Sequence, residues 1–190
     1  MKDDRVRGLL FIAAMAAVMW VVEAINAVDG YRLDAGGIRP RDADGLDGVL
    51  FAPFLHASWG HLIGNTIPFL VLGAVIALSG LARVAAVTVV VGVVAGIGTW
   101  LVAPSNTLHV GASGIVFGYA AYLVALGLWT RRPLHLVAGA LVALVWGATL
   151  VSSLVPRDGI SWQGHLFGAI GGVIAARIVT QRSSVASMRP

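Results

Sequence analysis

Six long apolar blocks, residues 8–28, 54–78, 81–101, 113–129, 134–154 and 160–179, alternate with short polar segments along this chain. An α-helix rises about 1.5 Å per residue, so a block of about 20 residues crosses a hydrocarbon core of about 30 Å. The pattern predicts an all-α integral membrane protein, a bundle of six transmembrane helices in a single domain, 1–190, with its core at about 8–180. Residues 29–49, rich in Gly, Asp and Arg, form the longest polar stretch and read as a loop. Residues 1–7 read as a charged lead and 181–190 as a polar tail. The first block is long and lacks a small-x-small cleavage site, so it reads as a retained helix rather than a signal peptide.

Composition agrees. With 58% hydrophobic and 12% charged residues, the chain cannot cover itself with polar surface as a soluble domain must. Cysteine is absent, which excludes disulfides and thiolate catalysis. The sequence pI near 10.3 invites a nucleic-acid reading, but the cations are spread along the chain. With the N-terminus cytoplasmic, Lys2, Arg5, Arg7, Arg83, Arg131, Arg132, Arg177, Arg182 and Arg189 lie inside, and Arg32, Arg39, Arg41 and Arg157 lie outside. Nine against four follows the positive-inside rule, so both termini are expected in the cytoplasm and the lipid bilayer, not nucleic acid, is the expected partner.

In that topology the second, fourth and sixth helices run in the same direction, and their outer ends carry most of the unusual polar residues. The second has His56, His61 and Asn65, the last two at i and i+4 on one face. The fourth opens on Gly111-Ala112-Ser113-Gly114, which puts one hydroxyl beside the free N–H groups of a first helical turn. The sixth has His165 within a ridge of Gly164, Gly168 and Gly172 that permits close helix approach. Each feature alone also fits plain helix packing. The fourth block is short for the membrane, so Ser113 is expected below the surface, at the depth of Asn65 and His165.

Together, His56-x4-His61-x3-Asn65, Gly111-Ala-Ser113-Gly114 and Gly164-His165-x2-Gly168-x3-Gly172 resemble the motifs of rhomboid intramembrane serine proteases, in their minimal six-helix bacterial form. The resemblance implies hydrolysis of peptide bonds in or beside transmembrane segments of substrate proteins, by a Ser113–His165 dyad with no cofactor and no metal. Asn65, His61 and the Ser113 N–H are the candidate oxyanion donors, and Phe117 is placed to stack on His165 where the family commonly has tyrosine. His56 takes a supporting role, together with Gly111, Gly114 and the glycine ridge. His109 reads as a solvated loop residue, and Glu23 as a partner for a loop arginine. The first outer loop lacks the tryptophan-arginine pair often seen in the bacterial family.

Three other classes compete. A metalloprotease would need H-E-x-x-H or a supporting carboxylate, which these helices lack. A small transporter would show internal repeats or broken-helix pairs. A rhomboid-like pseudoprotease that binds membrane-protein clients without cutting them would be expected to lose Ser113 or His165, and both are present. The expected location is a bacterial or archaeal plasma membrane, crossed several times, with the site opening to the extracytoplasmic side.

Overall fold

The computed structural model describes residues 2–157 and 159–186, with side chains beyond residue 181 left aside; Asp158 and the C-terminal Arg189 lie outside the described residues. Its regular elements are all helical: α1 (Lys2–Val28), α2 (Gly48–Phe51), α3 (Trp59–Ala77), α4 (Leu81–Val102), α5 (Ser113–Thr130), α6 (Pro133–Ser152) and α7 (Trp162–Ala186), with three short 3₁₀ turns between α1 and α3. Five of these, α1 and α3 to α6, are long and apolar enough to cross a membrane. The sixth expected block is α7, where Gln163, Gly164 and His165 at the start and Arg177 further on lower the apolarity.

Helix boundaries differ from the hydropathy blocks for local reasons. The charged lead is helical, with Asp3 and Asp4 in the first turn of α1 where the helix dipole favours carboxylates. Asp4 also accepts from the Leu81 N–H at the start of α4. The second block begins later than expected, because Ser58 caps α3 by accepting from the His61 N–H at 3.2 Å. His56 therefore lies before the helix, not on it. At the other end, α7 continues as helix to Ala186, through much of the expected tail.

The expected loop 29–49 is also more ordered than its composition suggests. It folds into the 3₁₀ turns Arg32–Gly36 and Ala43–Gly45 and enters α2. Arg41 donates to the Leu101 carbonyl at 2.9 Å and to Ser105 Oγ at 2.6 Å, while Trp100 Nε1 donates to the Asp42 carbonyl. These bonds pin the loop to the end of α4, so a single arginine reaches the helix layer without a tryptophan partner from its own loop.

The core forms where α5 is enclosed by α3, α4 and α7. Phe69, Leu72, Val84, Val87, Val91, Tyr119 and Tyr122 are buried there. Tyr119 stacks on Phe69 and shares a 2.5 Å hydrogen bond with Thr88, which satisfies its hydroxyl inside the bundle. Gly118 lies against Val91 and the Gly168 carbonyl, and the positions of Gly168 and Gly172 would carry a Cβ into the Gly114 and Gly118 carbonyls. No side chain larger than hydrogen fits this seam, so α5 and α7 touch backbone to backbone.

Candidate active site

The seam brings the first turns of α5 and α7 together. Ser113 is the first residue of α5, and its N–H takes no carbonyl partner among the described residues. The turn before it is held from two sides. The Gly111 N–H donates to the Ala52 carbonyl at 2.8 Å, and the Ala112 N–H to His56 Nε2 at 3.4 Å. Gly111 has φ +113°, which disfavours a side chain, and a Cβ there would lie 2.6 Å from His61 Cε1.

On α7, His165 is 7% exposed, and its Nε2 lies 2.9 Å from Ser113 Oγ. Its Nδ1 lies 3.0 Å from the Ser153 carbonyl. A carbonyl can only accept, so Nδ1 carries the proton of the neutral ring and Nε2 is left to accept from the Ser113 hydroxyl. The Phe117 ring lies parallel to the imidazole, with centroids 4.0 Å apart and 6° between planes. Among the described residues, orientation of His165 therefore comes from a stacked ring and a backbone carbonyl, with no carboxylate involved.

Asn65 and His61 face the same turn from α3. Asn65 is buried and its Nδ2 has no acceptor among the described residues. That amide nitrogen would lie 3.4 Å from a Cβ at Gly111, beside the His61 ring. An orphaned buried donor is costly, so this one is a group with capacity for an oxygen that the resting protein does not provide. A cavity of about 40 Å³ lies on the other side of Ser113, lined in part by Ala95, Thr99, Gly114, Ser161 and Gly164.

His56 is fully buried, its ring edge against His61 at 5.1 Å between centroids. Burial, reinforced by the neighbouring His61, pushes its pKa down to about 4. The ring is thus neutral at ordinary pH, as its role as acceptor for the Ala112 N–H requires. Its Nδ1 makes no hydrogen bond of ordinary geometry, although the Phe54 carbonyl favours the proton there.

Two sequence readings are corrected. Glu23 does not pair with a loop arginine: it is fully buried on α1, and among the described residues both carboxyl oxygens lack a hydrogen-bond partner. The loop carboxylate near it, Asp34, is raised in pKa by burial, while the Asn26 amide at 2.9 Å and the charge of His61 act in the opposite direction. His109 is not a solvated loop residue either. It bonds Thr107 and Ser161 through its two ring nitrogens, and burial lowers its pKa. Sequence reasoning also missed the Ser153 carbonyl, which no motif marks because any residue carries one. His135, near the start of α6, bonds Thr130 Oγ1 at the end of α5 at 2.8 Å. Among the described residues, no three His, Cys, Asp or Glu side chains converge as a metal site would need.

Comparisons with known proteins identify the family. A family model for the Rhomboid domain matches residues 45–182, which takes in every residue of the site. An uncharacterized protein of Mycobacterium tuberculosis is 44% identical over 177 residues, covering 89% of this chain and 74% of its own. A Bacillus subtilis protein provisionally named a rhomboid protease is 28% identical over 183 residues, covering 90% of this chain and 88% of its own. A mimivirus protein provisionally named a rhomboid protein is 29% identical over 133 residues, 66% of this chain and 70% of its own. With its apolar helices and its match to that domain over most of its length, the chain is a multi-pass membrane protein that belongs to the rhomboid family.

Proposed function

We propose that this protein is an intramembrane serine endopeptidase that cuts membrane proteins in or next to their transmembrane segments. The observation that carries the reading is the proton order of the dyad. With the ring proton on Nδ1, held by the Ser153 carbonyl, His165 Nε2 is free to take the Ser113 proton 2.9 Å away as the hydroxyl oxygen attacks the scissile carbonyl. The tetrahedral oxyanion is received by the Ser113 N–H and by Asn65 Nδ2, with His61 as a further donor. His165 then gives its Nε2 proton to the leaving amine, and the acyl group stays on Ser113. Water, deprotonated by the same nitrogen, releases the acid and returns the proton to Ser113. Phe117 keeps the ring in plane through the cycle.

In this reading α7 is the sixth span, both termini are cytoplasmic, and the dyad opens to the outside of a bacterial or archaeal plasma membrane. Family resemblance supports a small residue before the scissile bond, and helix-weakening residues in the substrate would expose its backbone.

The test is cleavage of a model transmembrane substrate by liposome-reconstituted protein. Ser113→Ala and His165→Ala should abolish cutting while the protein stays folded. Asn65→Ala should lower kcat by about 10²–10³, the usual effect of one oxyanion donor. Cutting that survives Ser113→Ala overturns the mechanism. If wild type neither cuts nor reacts with a fluorophosphonate probe, binding of membrane-protein clients without cleavage replaces it.

A further inference from the structure

We propose that His109 is a positioning residue for the Ser113–His165 pair, acting through its hydrogen bond to Ser161. The proposal rests on the protease reading above.

His109 stands four residues before Ser113, and Ser161 stands four residues before His165. His109 Nδ1 lies 2.7 Å from Ser161 Oγ, and Ser113 Oγ lies 2.9 Å from His165 Nε2. The two bonds join the same pair of segments, with partners 52 positions apart in each case. They are two rungs of one ladder, a hydroxyl facing an imidazole in both, with the roles of the two strands exchanged.

Every proton in the outer rung can be placed. The Pro104 carbonyl can only accept, so Thr107 Oγ1 spends its proton on it at 2.6 Å. Thr107 Oγ1 must then accept from His109 Nε2–H at 2.8 Å. In the neutral ring this leaves Nδ1 as an acceptor, and the Ser161 hydroxyl donates to it. Burial favours that neutral ring.

The rung is anchored at both ends. The His109 backbone exchanges hydrogen bonds with Ile38 at 2.9 and 3.0 Å, which fixes the nucleophile segment to the loop after α1. The Ser161 carbonyl accepts from the His165 N–H at 3.1 Å, so displacement of Ser161 moves the turn that carries the imidazole. This matters because, among the described residues, no carboxylate orients His165. Its Nδ1 is held by Ser153, at one end of the 153–161 connection, and the His109 rung holds the other end at Ser161. A reacting pair displaced by about 1 Å loses about a hundred-fold in rate, so a bond that fixes the spacing of the two segments acts directly on the chemistry.

The test is the rate at which a fluorophosphonate acylates Ser113 in the full-length reconstituted protein, resolved into a maximal rate and a half-saturating concentration. His109→Leu and Ser161→Ala should each lower the maximal rate by about ten-fold or more, with half-saturation within about two-fold of wild type. The double variant should be no slower than the slower single, because the His109–Ser161 bond is already lost in each single variant. His109→Gln, which offers a donor and an acceptor, and Ser161→Thr, which keeps the hydroxyl, should recover most of the rate. Should His109→Leu not fold, the Ser161→Ala and Ser161→Thr pair decides alone. Unchanged maximal rates in the folded single variants, or losses that multiply in the double, would overturn the proposal. Labelling of wild type that persists in Ser113→Ala would instead defeat the protease reading, and this inference with it.

Discussion

Along the seam between α5 and α7, a Cβ at Gly168 or Gly172 would enter a backbone carbonyl of the facing helix. Across the other side of α5, α6 carries glycines too, with a different outcome. A Cβ at Gly139 would lie 3.1 Å from the Leu123 carbonyl, but one at Gly147, two turns on, would meet no neighbouring atom within 4 Å. There α6 stands off from its neighbours and borders an apolar cleft of about 440 Å³ that runs from Phe117 to Trp129 on α5 and reaches Ala169 and Val173 on α7. The most apolar stretch of α5 is 61% buried and that of α6 only 11%. One imidazole contact, between His135 and Thr130, ties α6 down at the end far from the dyad. The same small residue thus locks one interface and leaves the other open. The proposed catalytic pair, Ser113 and His165, lies on the locked one, and in the protease reading the open one is the wall that would yield to a substrate segment.

The strongest break of this contrast is a matched pair of substitutions. Gly168→Leu forces a side chain into the backbone of α5, which cannot move aside as a flexible side chain would. We expect a loss of about 3 kcal/mol of stability, the upper range for overpacking, together with loss of fluorophosphonate labelling at Ser113. Gly147→Leu projects into open space and should raise stability by no more than about 1 kcal/mol, the gain in helix propensity over glycine. Thermal unfolding in detergent reads both. Equal melting temperatures for the two variants would mean that the seam is not close-packed and that the contrast is false.

The sequence was most informative where chemistry and helix geometry coincide. Ser113, His165 and Asn65 could be brought together because each sits near a helix start, and co-directional helices share an end. The glycine spacing on α7 could be read for the same reason, since a ridge at every fourth residue must face one neighbour. What stayed hidden depends on loops. His109 and Ser161 meet across 52 residues through two irregular segments, and nothing periodic relates them. Hydropathy puts His56 on a helix because it does not register the Ser58 cap. Glu23 was expected to reach the surface since an acid near a helix end usually does, and only the packing of α1 shows it enclosed. The orphaned Glu23 carboxyl has no structural explanation among the described residues.

A second test separates the two regions by pH. His56 is held neutral with a pKa of about 4, against an ordinary value of 6.5, so between those values the unfolded chain binds more protons than the folded one. Stability at the dyad end should therefore fall as pH drops from about 6.5 towards 4, by roughly 3 kcal/mol over the whole window, since one proton bound on unfolding is worth about 1.4 kcal/mol per pH unit. Protonation of Nε2 also removes the acceptor for the Ala112 N–H. His56→Gln should show a flatter profile over this range in detergent unfolding experiments, whereas substitutions at Gly147 should leave the slope as in wild type. A wild-type slope in His56→Gln would show that another group carries the acid sensitivity.

The smallest expected effect bears on the open side alone. At Gly147 an added methyl meets no atom within 4 Å, so Gly147→Ala changes little besides helix propensity, worth about 1 kcal/mol in a helix interior. The melting temperature should rise by about 2–4 °C, with the rate of Ser113 labelling unchanged because the dyad gains no contact. A stiffer α6 also resists the displacement that a transmembrane substrate would require. Cleavage of such a substrate should then slow slightly, while a soluble unfolded chain that reaches the dyad without moving α6 is cut at the wild-type rate. If both substrates slowed together, α6 would be bearing on the dyad itself, and the division between a fixed seam and a yielding wall would have to be redrawn.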